Sequence, residues 1–352
     1  MREKIVLGLS GGVDSAAAAL LLERAGYAVT GCYLDIGLGG SGAADAAAVA
    51  DRLGIPLELL PIGAELEREV CAPFAADYLS GRTPLPCARC NRLVKFPALL
   101  ALADRLGARY VATGHYARAE NGLLKKGRPA NDQSYMLARL TKEQLQRVIF
   151  PLGDYEKTEV RALARAAGIP VADKPDSMEI CFVPGGDYGD WLEERGFSTP
   201  PGNFVDKSGR VLGRHRGVHR YTLGQGRGLG VPGPHRYYVA DIRPETDEVV
   251  LSDGSDLGRD RVFCRDLNWL AGDPPAGPLE VTARLRHSRA ELAAVLIPGE
   301  DGVRLDMKAP ARAPTPGQLA VFYSGDTVLG SAWIAGSAQR GPNEIPTETE
   351  RG

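Results

Sequence analysis

The 352 residues contain no apolar run approaching the ~20 residues that a bilayer-spanning helix requires. The N-terminus, Met1-Arg2-Glu3-Lys4 and then a short apolar stretch to Leu9, also lacks the apolar length of a signal peptide. A cytoplasmic protein without a membrane partner is expected. Cysteine is scarce: six residues, at 32, 71, 87, 90, 181 and 264, are too few for a secreted disulfide framework. Only Cys87 and Cys90 are close in sequence. No second C-x-x-C or C-x-x-H completes a four-ligand zinc site, so no metal centre is expected from that pair. Lysine is missing altogether between Lys4 and Lys95, so the glycine turn at residues 8–12 is not a Walker loop. That turn does not read G-x-G-x-x-G either, which excludes a dinucleotide fingerprint there. No internal repeat or low-complexity segment is present.

What remains is the composition of a soluble globular chain, 44% hydrophobic and 24% charged, long enough for two or three domains. The net charge of −2 does not advertise a polyanion partner, but its distribution does. Lys207 to Arg236 holds seven Lys/Arg, three of the five histidines and no acid. Between Asp77 and Asp104 there is again no acid, while Arg82, Arg89, Arg92 and Lys95 are present. One such run is ordinarily a solvated loop. Two, one beside a cysteine pair and one rich in glycine, point to phosphate-backbone contact.

The first half alternates strand and helix. Strands are expected at Ile5–Leu9, Val29–Leu34, Leu57–Leu60 and Tyr110–Thr113. Helices are expected over Asp14–Ala25, Ala43–Leu53, Glu65–Leu79, Phe96–Leu106 and Glu159–Ala167, several of them stopped by glycine. This pattern predicts an α/β doubly wound parallel sheet. After about Asp190 glycine, proline and short alternating runs take over, consistent with two small β-rich domains, the last a β-barrel. The expected boundaries are 1–190, 191–258 and 259–338, with a flexible tail over 339–352. Val262–Trp269 reads as a hinge into the last domain.

Leu7-Gly8-Leu9-Ser10-Gly11-Gly12-Val13-Asp14-Ser15 lies between the first strand and the first helix, where a doubly wound sheet binds ligands. Paired glycines let backbone N–H groups approach phosphate, Ser10 and Ser15 add hydroxyls, and the helix start adds partial positive charge. An ordinary tight turn is the competing reading. The S-G-G-x-D-S string resembles the pyrophosphate loop (PP-loop) of the ATP pyrophosphatase superfamily, with its adenine nucleotide hydrolase-like fold. The resemblance implies ATP and Mg²⁺, with Asp14 helping to organise metal and phosphates.

Cys87 and Cys90 follow a proline-stiffened loop, Gly81-Arg82-Thr83-Pro84-Leu85-Pro86, and lead into a helix with Arg89, Arg92 and Lys95 close by. Such surroundings predict a lowered thiol pKa, suited to a nucleophile or sulfur carrier. Cys181, between Ile180 and Phe182, reads alone as a core filler, like Cys32, Cys71 and Cys264. The order of blocks changes that reading: G-R-T-P-x-P-C-x-x-C-N-R-x-x-K-F (81–96), A-T-G-H-Y-A (112–117), D-Q-S-Y (132–135), F-P-L-G (150–153) and K-P-D-S-x-E-I-C-F (174–182). They are followed by G-x-H-x-G (213–217), Y-T-L-G-Q-G-R-G-L-G (221–230), D-L-N-W (266–269) and T-P-G-Q (315–318). Together they resemble the bacterial tRNA-specific 2-thiouridylases, the MnmA family, from about Lys4 to Ile334.

The resemblance implies a tRNA sulfurtransferase that adenylates the C2 oxygen of the wobble uridine. Sulfur would arrive as a persulfide on Cys181 from a donor protein, a cysteine desulfurase or a relay carrier. Cys90 would assist, ending in a disulfide with Cys181. Gly8, Leu9, Ser10, Gly11, Gly12, Val13, Asp14, Ser15, Leu34 and Gly114 would contact the nucleotide. Leu85, Pro86 and Cys87 would touch the flipped base. His115, Asn131, Asp132, Gln133, Arg286, His287 and Gln318 would contact tRNA. Three thiolates on two loops, Cys87, Cys90 and Cys181, also allow a labile iron–sulfur centre. Two departures stand out: Leu34-Asp35-Ile36-Gly37 replaces a Met-Lys-Asn-Trp-like segment, and Gly226 follows Gln225 where Arg or Lys is usual. The alternatives are an amide-forming synthetase of the same superfamily, a paralogue that binds tRNA without thiolating it, or one with another sulfur source.

Overall fold

The computed structural model describes residues 2–176, 180–287 and 290–339. The chain forms two compact units, one holding the chain to Cys71, Pro86–Phe182 and Gly325–Val328, the other Ala72–Leu85, Val183–Ser324 and the chain from Leu329. In the first, β1 (Lys4–Gly8), β2 (Ala28–Asp35), β3 (Leu57–Pro61) and β4 (Tyr110–Thr113) lie within two residues of their expected bounds. A hairpin of β5 (Ala117–Glu120) and β6 (Leu123–Lys126) and a two-residue β7 (Val148–Ile149) were not expected. The hairpin carries Arg118, Glu120, Lys125 and Lys126 and fully buries only Ala117 and Leu124, so it lacks the apolar alternation that marks a strand.

The sheet runs β3-β2-β1-β4-β7 with every pairing parallel, as the doubly wound reading predicts. Its order turns back between β1 and β4, so the crevice for a ligand opens at their carboxyl ends. Ile5, Val6 and Leu7 of the central strand are fully buried. The first helix, Val13–Arg24, buries four consecutive alanines, Ala16 to Ala19. Small side chains admit a close neighbour, and the helix Lys157–Ala166 packs there through Val160 and Ala164 in the same core. That packing sets the first residue of the second helix, Lys157, over the start of the first.

The second unit contains two sheets. β8 (Gly202–Val205), β9 (Val211–His215), β10 (Tyr238–Arg243) and β11 (Glu248–Ser252) make a sheet of order β10-β11-β8-β9 around Phe204, Val218, Val239 and Leu251. The barrel strands are β12 (Gly258–Trp269), β13 (Leu279–Arg284), β14 (Leu292–Gly299), β15 (Gly302–Arg312), β16 (Leu319–Ser324) and β17 (Thr327–Ala338). They run β12-β15-β14-β13-β16-β17, and β12 pairs with β17 to close the barrel and remove its edges. Val262–Trp269 is therefore no hinge but most of a twelve-residue strand. Asp266 at φ 55° and a register shift between Arg265 and Asn268 interrupt its alternation, which is what made it read as irregular. The expected tail lies outside the described residues from 340 on.

Gly11 tests how tightly the glycine turn is built. At φ 75°, an added Cβ would stand 2.6 Å from the Gly42 carbonyl oxygen. Gly26 has φ 93° with nothing within 4 Å. Gly11→Ala is expected to destabilise the first unit by roughly 2–4 kcal/mol, combining left-handed strain with overpacking. Gly26→Ala carries the strain alone and costs about 1 kcal/mol. Thermal melts of the two variants should differ accordingly.

Candidate nucleotide and thiol site

The glycine turn is tied to itself. The Ser10 N–H donates to Ser15 Oγ at 3.1 Å, and Ser15 Oγ donates to the Gly12 carbonyl at 3.1 Å. Gly12 precedes the helix with extended backbone and no side-chain cap, so the first helical N–H groups face outward unclaimed by a side chain. Leu9, Val13 and Ser15 are buried, Ser10 is exposed and Leu34 is half-buried at the end of β2. Gly114 after β4 must be glycine: a Cβ would meet the Asp14 carbonyl carbon and the Ser15 nitrogen, each at 2.8 Å. Gly8 to Ser15 and Gly114 thus occupy the carboxyl ends of β1 and β4.

The cation absent from the turn comes from far along the chain. Lys157 Nζ reaches both carboxylate oxygens of Asp14 at 2.7 Å, and Tyr116 Oη donates to the same carboxylate at 2.6 Å. Lys157 also pairs with Asp176 at 2.7 Å, which Arg161 holds from the other side at 2.8 Å. Arg161 further donates to the Ala172 and Lys174 carbonyls. Lys174 pairs at 2.6 Å with Asp45, and the Cβ of Asp45 lies beside Gly11. The Lys174 hydrogen bond, then that of Ser41, holds the Asp45 carboxyl below its usual range. Lys157 and Arg161 escaped the sequence reading, and Tyr116, Lys174 and Asp176 were quoted without a role. The missing lysine after the glycines was the signal that a distant one must serve.

Cys87 and Cys90 lie on the short helix Pro86–Cys90, which Arg89 ties to the Glu69 carbonyl. The helix then widens into a π turn over Asn91–Lys95. Gln144 satisfies the Arg92 carbonyl there, and Asn91 donates to the Met136 carbonyl. Cys87 and Cys181 are exposed and Cys90 partly so, whereas Cys32, Cys71 and Cys264 are buried. Lys95 acts on all three accessible thiols, and charge on Cys181 acts on both Cys87 and Cys90. The three sulfurs and one ammonium therefore share a neighbourhood. His115 joins it: burial first and Lys95 second push its pKa well below the usual range, leaving a neutral imidazole. The ring is flanked by Phe96 and Phe150 and bonded to Thr113 Oγ1 at 2.6 Å. Gly114, the residue before His115, abuts Asp14, so one short segment runs from the surroundings of Lys95 to the glycine turn.

The expected lowering of the thiol pKa is wrong. Desolvation by the surrounding protein pushes Cys90 up to about 11, against the pull of Lys95, and raises Cys87 and Cys181 as well, although both of these residues keep exposed surface. Desolvation of the anion exceeds the attraction of one nearby cation. Ser177, Met178 and Glu179 lie outside the described residues. Among the described residues no three Cys, His, Asp or Glu side chains are gathered closely enough to hold a metal ion. As placed, Cys87, Cys90 and Cys181 do not form such a group, which is the geometry an iron–sulfur centre would need.

Three family models tile the chain: a tRNA methyl transferase HUP domain over residues 3–185, a tRNA methyl transferase PRC-barrel domain over 189–253 and an aminomethyltransferase beta-barrel domain over 259–334. The chain is 44% identical to the tRNA-specific 2-thiouridylase MnmA of Carboxydothermus hydrogenoformans, across 95% of this chain and 98% of that one. It is 45% identical to the MnmA of Moorella thermoacetica (95% and 100%) and 45% to that of Rhodospirillum centenum (94% and 91%). The chain belongs to the MnmA family.

Several positions that the MnmA resemblance assigns to RNA are engaged within the protein. Asp132 accepts from the Gly127 and Ser134 N–H groups, and Gln133 Oε1 accepts from the Tyr116 N–H, beside half-buried Asn131. Arg286 donates to the Leu223 and Ala313 carbonyls and to Thr315 Oγ1 at 2.8, 2.7 and 2.6 Å, bracing Ala313 at φ 47°. It is a clamp within the protein, while His287 beside it is exposed. Gln318 donates to the Thr83 and Pro84 carbonyls at 3.1 and 3.0 Å. Leu85 and Pro86 are buried. The acid-free run 207–236 is not an acid-free surface: Lys207 meets Asp256, Arg210 meets Asp206, and Arg216 and Arg220 meet Asp190 and Glu193. Arg214, Arg227 and Arg236 make no ion pair among the described residues. At the departure Gly226, a side chain would strike the Tyr238 ring at 2.7 Å; Arg236 instead donates to its carbonyl and stacks over that ring.

The direction of the Cys90 shift sets a pH profile. A folded pKa of about 11, above the ordinary 9, favours the thiol. The associated stabilisation is present below pH 9 and is lost as pH rises through 11. Alkylation by iodoacetamide, followed on the Cys90 peptide, should climb about tenfold per pH unit from pH 7 to 10. A plateau below pH 8 would show a low-pKa thiolate instead.

Proposed function

We propose that this protein is a cytoplasmic tRNA 2-thiouridylase, using ATP with Mg²⁺ to activate the C2 oxygen of a wobble uridine and a Cys181 persulfide to replace it with sulfur. The observation that carries the reading is the shared neighbourhood of Cys87, Cys90, Cys181 and Lys95, one segment from a glycine turn whose cations are supplied by Lys157 and Lys174. No helix among the described residues is long and apolar enough to cross a membrane.

The chemistry follows from the residues. Uridine O2 is a poor leaving group, and adenylation turns it into AMP while pyrophosphate departs. The polyphosphate takes the uncapped N–H groups after Gly12 and the Ser10 hydroxyl. Lys157 is the residue that would meet the phosphate oxygens, and Asp14, whose carboxylate Lys157 now holds, is the residue that would meet the accompanying Mg²⁺. Loss of pyrophosphate is favoured by the cations that gather on it. The terminal sulfur of the Cys181 persulfide, supplied by a donor protein, then goes to C2 as AMP leaves. Cys90 attacks the inner Cys181 sulfur, either releasing sulfide that adds to C2 or acting while the sulfur is transferred. Both routes end in a Cys90–Cys181 disulfide. Lys95 favours each thiolate that must form, against the burial that keeps these groups protonated at rest. Residues 191–258 and 259–338 serve as the tRNA-contacting domains, recognising shape and backbone.

The test is sulfur incorporation into unmodified tRNA with ATP and a protein-persulfide donor, read as 2-thiouridine in nuclease digests. Wild type should form the nucleoside and Cys181→Ala should not; incorporation that survives this substitution removes Cys181 from the scheme. Lys157→Met should raise the KM for ATP roughly ten- to a hundredfold, the equivalent of about 1.5–3 kcal/mol for a charge-assisted bond. An unchanged KM would assign Lys157 to structure alone.

A further inference from the structure

The scheme above uses two thiols, yet three are accessible. Cys87 and Cys90 stand three residues apart in the helix Pro86–Cys90, so they share a face. Helix geometry places their Cα atoms about 5 Å apart, inside the ~4.4–6.8 Å range that a disulfide spans. Cys87 is the exposed member of the pair, and Cys181 is exposed as well. The chemistry also leaves a problem: sulfur transfer ends with Cys181 locked to Cys90, and a locked Cys181 cannot accept another sulfur.

We propose that Cys87 is a third reacting thiol: it attacks the Cys90 sulfur of the Cys90–Cys181 disulfide, forms a Cys87–Cys90 disulfide and frees Cys181 to be charged again. The proposal rests on the thiouridylase reading. The exchange is balanced: one S–S bond forms as one breaks, and the proton lost by Cys87 is the one Cys181 gains. No net oxidation occurs. A dithiol reductant, small or protein-borne, then reduces the Cys87–Cys90 bond in a separate step, while Cys181 is already free.

Physical arguments favour this direction. Attack on the Cys90 sulfur expels Cys181; attack on the Cys181 sulfur would expel Cys90, a reluctant leaving group with its pKa near 11. The loop closed by a Cys87–Cys90 bond is already held by the helix, so the new link costs little further chain ordering. The Cys90–Cys181 bond must instead hold two separate segments together.

The experiment maps disulfides in the full-length protein. Protein charged with sulfane sulfur on Cys181 is given ATP and unmodified tRNA for one turnover without added thiol, quenched in acid, alkylated and digested. Wild type should yield the Cys87–Cys90 linkage with Cys181 alkylated, at least tenfold over the Cys90–Cys181 linkage; Cys87→Ser should stop at Cys90–Cys181. Wild-type protein that forms 2-thiouridine but carries mainly Cys90–Cys181, with Cys87 alkylated, overturns the proposal. A second arm oxidises the fully reduced protein with diamide and needs neither tRNA nor turnover. Predominance of Cys87–Cys90 there supports the exchange even if no 2-thiouridine forms, in which case the thiouridylase reading fails. Predominance of Cys90–Cys181 overturns the exchange whatever the activity.

Discussion

One ammonium group organises the nucleotide end of the molecule. Lys157 is shared between Asp14, at the head of the first helix, and Asp176, on the segment that runs on to Cys181. Neither carboxylate would sit so close to the other without a cation between them. Because the four-alanine face of the first helix admits the helix that begins at Lys157, the pair is a product of core packing rather than of two long side chains meeting by chance on the surface. A site built this way links its parts. Anything that draws Lys157 towards phosphate also loosens its hold on Asp176, leaving Arg161 to hold that carboxylate.

The thiol end is governed by the opposite balance. There burial dominates and Lys95 only moderates it, so the sulfurs rest as neutral thiols. Under the proposed scheme that balance has a use: a thiol that is neutral at rest is a weaker target for stray alkylation and oxidation. The neutral His115 in its aromatic flank feels the same ammonium, Lys95.

Much of this could be read from the residues. The period of the apolar positions and the stopping glycines located four parallel strands and their helices, because Ile5 to Leu7 and Ala16 to Ala19 have no other use than burial. The glycine turn and the cysteine blocks identified the candidate site. What escaped was whatever depends on pairs distant in sequence. Lys157 meets Asp14 across 143 positions, and no local pattern announces it. The thiol pKa was misread because neighbouring Arg and Lys letters are visible in a string, whereas desolvation is not. The run 207–236 looked uniformly basic for the same reason: Asp190, Glu193 and Asp256 approach it from outside the stretch. The β5–β6 hairpin went unseen because its strands bury almost nothing of their own.

The grip of Gln318 on Thr83 and Pro84 has a bearing on when the enzyme becomes complete. The backbone leading into the Cys87–Cys90 helix is restrained by an amide 235 residues later in the chain, seconded by the Pro316 carbonyl receiving the Thr83 N–H. The chain must therefore be made as far as residue 318 before that segment acquires both restraints. During synthesis the nucleotide turn can form early, while the thiol loop waits for almost the last strand of the barrel. A chain cut short before residue 316 lacks both of these restraints on the loop.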